Sequence, residues 1–174
     1  MFSRPEFIAR DFKLDEFAVS VSHPQLVQAV PIALIPRITL LAVRCLQPVR
    51  DTLGRPMRIL SGYRSHALNR AVGGSPTSQH VVGEAADWTV DDIRGAFIEV
   101  LELVASGRLQ SAGQIIYYPE QGFVHMSLSS GRFPFPTCCV HWPDKQLKYK
   151  VFPADAARFE LLVPRAQDPS ARGH

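Results

Sequence analysis

Two histidines and one aspartate, placed in two separate segments of the chain, constrain its fold more than any other feature of the sequence. His80 and Asp87 stand in the segment SQHVVGEAAD (78–87), and His125 stands in GFVHMS (122–127). Two imidazoles and one carboxylate form a ligand set suited to zinc, with the fourth position of the metal open to water. A fold that uses this set must bring both segments to one point.

Alternating patterns predict that Asp87 and His125 lie on neighbouring strands. Residues 85–90 form one predicted strand, and 113–118 with 122–128 form a predicted hairpin around a proline-containing turn. Because side chains alternate along a strand, two adjacent strands can place both residues beside the histidine that leaves the preceding loop.

The remaining patterns predict a small α+β domain, an antiparallel sheet flanked by helices. Apolar residues recur at helical spacing over 34–46, and this helix is expected to end near Pro48 and the turn at 54–56. Further predicted elements are a strand at 57–61, a helical turn at 66–72, an exposed loop at 73–77 and a helix capped by residues 91–92 that runs to about 103. The chain is predicted to be one domain (1–165) with a motif-bearing core at 33–130 and a disordered tail at 166–174.

Charge and cysteine content exclude several classes of protein. The 174 residues carry nineteen basic and sixteen acidic side chains, a formal net charge of +3, and no run of lysine or arginine that would suit nucleic acid. Cys45, Cys138 and Cys139 have no CxxC spacing, and adjacent cysteines seldom bridge to each other. Neither a disulfide framework nor a thiolate zinc site is expected.

Neither a membrane span nor a signal peptide is expected. The most apolar region, 26–49, is interrupted by prolines and arginines, and it is predicted to form buried helices. The N-terminal residues lack the apolar segment of a secretory signal, so synthesis in the cytoplasm is the expectation.

Three blocks of the sequence together resemble the zinc D-Ala-D-Ala carboxypeptidase and murein endopeptidase superfamily, which includes phage endolysins and wall-remodelling peptidases of bacteria. The blocks are SGYRS (61–65), SxHxxGxAxD (78–87) and FVH (123–125), in that order. A lone strand histidine is usually a core residue, but the agreement of three motifs favours a metal. The resemblance implies a small Hedgehog/DD-peptidase-like fold, one zinc ion on the two histidines and the aspartate, and peptidoglycan stem peptides as the partner.

The resemblance also implies roles for polar residues around the metal. Arg64 is predicted to bind a substrate carboxylate or a developing oxyanion; the alternative is a structural ion pair with Asp87 or Glu84. Ser78 and Gln79 are predicted to contact the substrate or the neighbouring histidine, although a serine here also suits a turn cap.

The general base is the least determined part of the predicted site. Many relatives carry an acid three positions before the last histidine, where this chain has Gly122, and other branches with a Tyr-Tyr-Pro element, here 117–119, lack that acid too. Glu120 is the candidate base, and the alternative is that it is an exposed loop carboxylate. If Glu120 is the base, replacing it by Gln is expected to abolish turnover and leave the zinc content intact.

The resemblance therefore implies a zinc metallopeptidase of the murein DD or LD type, an endopeptidase or carboxypeptidase acting on stems or cross-links. A monomer is expected, which reaches the cell wall or periplasm after release, as a phage or prophage lysin, or is carried by a virion. The alternative is a peptidoglycan-binding module of the same fold that has lost catalysis, since a fold does not guarantee a function. The glycine at position 122 is the main support for that alternative.

Overall fold

Eight strands and four α-helices make up the computed structural model, which describes residues 4–142 and 147–151. The strands are β1 (Phe7–Ala9), β2 (Phe12–Lys13), β3 (Arg58–Ser61), β4 (Ala85–Thr89), β5 (Ala112–Tyr118), β6 (Phe123–Leu128), β7 (Thr137–Trp142) and β8 (Leu147–Val151). The helices are α1 (Ile35–Leu41), α2 (Gln47–Leu53), α3 (His66–Ala71) and α4 (Ile93–Ala105). The predicted domain end at 165 and the predicted tail at 166–174 lie outside the described residues.

Six of the strands form one sheet in the order β3-β4-β6-β5-β7-β8. Every neighbouring pair is antiparallel except β5 and β7, which are parallel. The predicted α+β class is confirmed, and the sheet is mostly antiparallel. The parallel pair comes from a strand that the sequence patterns did not predict.

One face of this sheet builds the core. Ile115, Tyr117, Val124 and Met126 alternate onto that face and are almost fully buried. Phe97 of α4 stacks on Tyr117 there, with ring centroids 5.2 Å apart. The opposite face carries the predicted metal ligands, so α4 and the site lie on different sides of the sheet.

The first long helix continues past Pro48 to the predicted turn at 54–56. α1, a π-helical segment (Ala42–Leu46) and α2 follow one another without a break, and the helix ends only where Gly54 adopts φ +61°. Pro48 therefore lies inside the helix, and the prediction that it ends the helix is wrong. In a regular α-helix a proline ring collides with the carbonyl group four residues earlier. Here that carbonyl belongs to the wider π-helical turn, which relieves the crowding.

The helical stretch Ile32–Leu53 is, among the described residues, the one helix long and apolar enough to cross a membrane by length and composition. Ile38, Leu41, Cys45 and Val49 recur along one side of it and are at most 1% exposed. A helix that buries one apolar stripe in this way is typical of a globular core.

The N-terminal segment is more ordered than its polar sequence suggests. β1 and β2 form a small sheet, and Phe12 and Phe17 are buried with ring centroids 6.2 Å apart. Phe17 also packs against the backbone of Gly62, where an added Cβ would lie 2.5 Å from the Phe17 carbonyl oxygen. Only glycine fits at this position, and the contact fixes the loop that follows β3.

Candidate metal centre

Three polar side chains meet in a cleft on the face of the sheet opposite the core. The ligand-capable atoms of His80, Asp87 and His125 all lie within 4.8 Å of one another. Asp87 Oδ1 is 2.9 Å from His125 Nδ1 and 3.2 Å from His80 Nε2, and the two imidazole nitrogens are 3.2 Å apart. The fold thus brings the three predicted ligands together from separate segments.

Strand register places two of these ligands side by side. β4 and β6 pair so that Asp87 lies directly opposite His125. Side chains that face each other across an antiparallel pair have Cβ atoms about 5 Å apart, close enough to share one ion.

The loop ahead of β4 supplies His80, and backbone contacts hold it in place. Its Nδ1 is 2.8 Å from the carbonyl oxygen of Gly62. Because a carbonyl only accepts, Nδ1 carries the proton, and in the neutral ring Nε2 keeps its lone pair toward Asp87 and His125. In metal-binding histidines, the ring nitrogen that does not bind the metal commonly donates its N–H to a carbonyl or carboxylate group, which fixes the orientation of the ring.

The protonation states of His80 and Asp87 favour the binding of a cation. Burial lowers the pKa of His80, an effect that the charge of Asp87 only partly offsets, and this favours the neutral imidazole that metals bind. Burial alone would raise the pKa of Asp87, but interaction with His80 and with His125, whose Nδ1 lies 2.9 Å from Oδ1, holds that pKa well below its usual value. A neutral His80 then faces an ionised carboxylate with a lone pair, an arrangement that a cation between them would stabilise. Two nitrogens and one oxygen are ligands that zinc accepts.

Arg64 is bound to one of the ligands. Its Nε donates to Ser61 Oγ at 2.8 Å, and its Nη2 donates to Asp87 Oδ2. The sequence left Asp87 and Glu84 open as ion-pair partners of Arg64. The structure contains the pair with Asp87, whereas Glu84 pairs with Arg37 at 3.0 Å. Arg64 also lines the cleft, where a substrate can reach it. Its contact with substrate stays a prediction.

The cleft around these residues has a volume of about 860 Å³. Ser78 and Gln79, both predicted to bind substrate, line it. The side-chain nitrogen of Gln79 is buried and has no hydrogen-bond partner among the described residues. The lining also includes Ser75, Thr77, Gln114, Ile116, Tyr118, Phe123, Ser130, Arg132 and Phe133.

Glu120 does not lie with the other predicted site residues. It is exposed in the turn between β5 and β6 and is not part of the cleft lining. Among the described residues, the carboxylates that line the cleft are Asp87 and Glu84. Gly122, at the position where many relatives carry an acid, has φ +68°, a conformation that favours glycine. An acidic residue at position 122 would therefore be strained in this turn.

Two supporting residues were not singled out from the sequence. Ser61 accepts the hydrogen bond that orients Arg64, and Gly62 accepts the one that orients His80. Both lie in the SGYRS block, so the motif contained them, but a motif alone does not tell which atom holds which ligand.

Comparison with known proteins identifies a family whose model spans these residues. The family model described as Peptidase M15 matches residues 10–127, which is more than half of the chain and includes Arg64 and the three ligands. No curated protein matches the chain.

Proposed function

This chain belongs to the peptidase M15 family of metallopeptidases, and on that premise we propose that it is a zinc-dependent peptidase acting on peptidoglycan. The bonds that it hydrolyses are peptide bonds of the murein stem or cross-link. The observation that carries the proposal is the convergence of His80, Asp87 and His125 within 4.8 Å in an open cleft.

The residues of the site divide the chemistry among them. His80, Asp87 and His125 would hold the ion, which when bound polarises a carbonyl group and lowers the pKa of water to about 7. Arg64 donates to Oδ2 of Asp87, and Oδ1 of the same carboxylate lies toward the two histidines. Ser78 and Gln79 lie on the cleft wall, where they can hydrogen-bond the backbone of an extended peptide.

The surroundings of the site support a peptide substrate with free carboxylates, as in a murein stem. Arg132 lines the cleft and is exposed, so its guanidinium can pair with a carboxylate of the substrate. Action on the cell wall after release, as a lysin or as part of a virion, is the proposed setting.

Digestion of purified sacculi tests the proposed function. We expect the zinc-loaded protein to release fragments with new amino termini, identified by mass spectrometry, and chelator-treated protein to release none until zinc is restored. Intact sacculi with bound protein would instead support the peptidoglycan-binding module. The mass of the fragments also tells whether the cross-link or the stem is cut.

The proton acceptor is tested by two matched variants, E120Q and E84Q. The sequence-based prediction is that E120Q loses turnover at unchanged zinc content, because a general base contributes about 10²–10⁴-fold to the rate. Glu84 is the second carboxylate of the cleft lining and serves as the comparison. Full activity of E120Q would remove Glu120 from the mechanism, and loss of activity in E84Q alone would assign the role to Glu84.

A further inference from the structure

We propose that the hydroxyl of Tyr118 is a catalytic hydrogen-bond donor that stabilises the oxyanion formed at the scissile carbonyl group. The proposal rests on the proposed peptidase function and adds a residue to it. It concerns the step in which the water oxygen bonds to the carbonyl carbon while the C=O π electrons move onto the carbonyl oxygen. The proton of the water goes to the general base and then to the departing amine, and Tyr118 keeps its own proton throughout.

Strand register puts Tyr118 on the face of the sheet that carries the metal ligands. It lies two residues along β5 from the residue that is opposite His125. Ile116 lies opposite His125, and Tyr118 lies opposite Phe123, so Tyr118 and His125 are diagonal neighbours on β5 and β6. Diagonal neighbours on an antiparallel pair are about 7–8 Å apart at the backbone, within reach of an aromatic side chain. Tyr118 lines the cleft together with Arg64 and the three ligands.

Neighbouring rings hold the phenol in place. The ring of Phe123 stacks on that of Tyr118 with centroids 4.5 Å apart and planes 18° apart. The ring of His141, on β7, packs against Tyr118 with centroids 4.9 Å apart. A donor that is fixed before the substrate binds loses little entropy when charge develops, which is the condition for effective oxyanion stabilisation.

The hydroxyl of Tyr118 is free to serve the substrate. It has no hydrogen-bond partner among the described residues, although it lies close enough to Asp87 and Arg64 for their charges to act on it. By contrast, Arg64 already donates hydrogen bonds from Nε to Ser61 and from Nη2 to Asp87. Burial, together with the charge of Asp87, raises the pKa of Tyr118 to about 12, so the phenol remains protonated near neutral pH.

The test is the Y118F variant, which removes one oxygen and keeps the ring that stacks on Phe123. We expect kcat on a soluble stem peptide to fall by about 10²–10³-fold, as when one oxyanion donor is removed, with KM, zinc content and Tm nearly unchanged. A phosphinate pseudopeptide, which carries a tetrahedral anion, should bind zinc-loaded Y118F at least about 10-fold more weakly than wild type. The matched control is Y117F, which alters the adjacent phenol on the core face and is expected to bind the phosphinate like wild type.

Two results would overturn the proposal. Equal affinity of Y118F and wild type for the phosphinate excludes a donor role, whether or not the protein cuts sacculi. A rise in KM with unchanged kcat shows that Tyr118 binds the ground state only. If wild type leaves sacculi uncut, the proposed function fails separately, and the phosphinate titration still decides the role of Tyr118.

Discussion

Replacing His80 or His125 by alanine is expected to remove both the bound zinc and the hydrolytic activity. Each variant deletes one of three ligand atoms that lie within 4.8 Å of one another. Loss of a residue that merely orients a ligand already lowers metal affinity about 10–100-fold, so loss of a ligand is expected to lower it by more than about 100-fold. Metal analysis of the dialysed protein and the sacculus digest measure the two effects.

H66A is the matched control for the two ligand variants. His66 begins α3, is exposed, and is not part of the cleft lining, so its removal is expected to leave zinc content and digestion unchanged. One zinc ion per chain in either H80A or H125A would show that the ligand set is different from the one inferred here. Thermal unfolding of all three variants separates metal loss from misfolding.

Replacing Arg64 by alanine is expected to destabilise the zinc-free protein by about 3 kcal/mol, the lower end of the cost of breaking a buried ion pair. The side chains of Arg64 and Asp87 are 15% and 10% exposed, so the carboxylate would be left largely buried with only the two imidazoles as partners. Bound zinc supplies the missing positive charge, and we therefore expect the destabilisation to be smaller when zinc is present. Urea unfolding of wild type and R64A, each with chelator and with zinc, measures both values.

R37A is the matched control for R64A, because Arg37 makes the same kind of pair with Glu84 at the surface. The side chain of Arg37 is 52% exposed, so this pair is expected to contribute less than about 1 kcal/mol. R64K tests geometry separately, since a lysine retains the charge but cannot donate to Ser61 and Asp87 as a planar guanidinium does. Equal stability of R64A and wild type in chelator would contradict the structural role of this arginine.

The local pattern was enough to predict the strands that carry Asp87 and His125, because alternation along a strand is visible in the sequence itself. The capped helix α4 was predictable for a similar reason, since Asp92 precedes an apolar periodic run and its side chain accepts a hydrogen bond from the Gly95 N–H. The ligand types followed from residue chemistry and spacing. These features depend on neighbours within a few residues.

Features that depend on distant neighbours were decided by the tertiary structure. Pro48 lies inside a helix because the preceding turn is π-helical, and Glu120 lies outside the cleft because the hairpin turn directs it to solvent. The parallel pairing of β7 with β5 brings His141 against Tyr118, a contact that nothing in either segment indicates.

The sequence by itself determined which side chains could bind a metal and which elements carry them, since both are local properties of composition and periodicity. Only the tertiary structure decided that Arg64 pairs with Asp87, that the Gly62 carbonyl orients His80, and that Tyr118 lines the cleft of the site. These contacts arise from strand register and from a loop packed against Phe17. Register and packing are set by the burial of the whole core, which no short segment encodes.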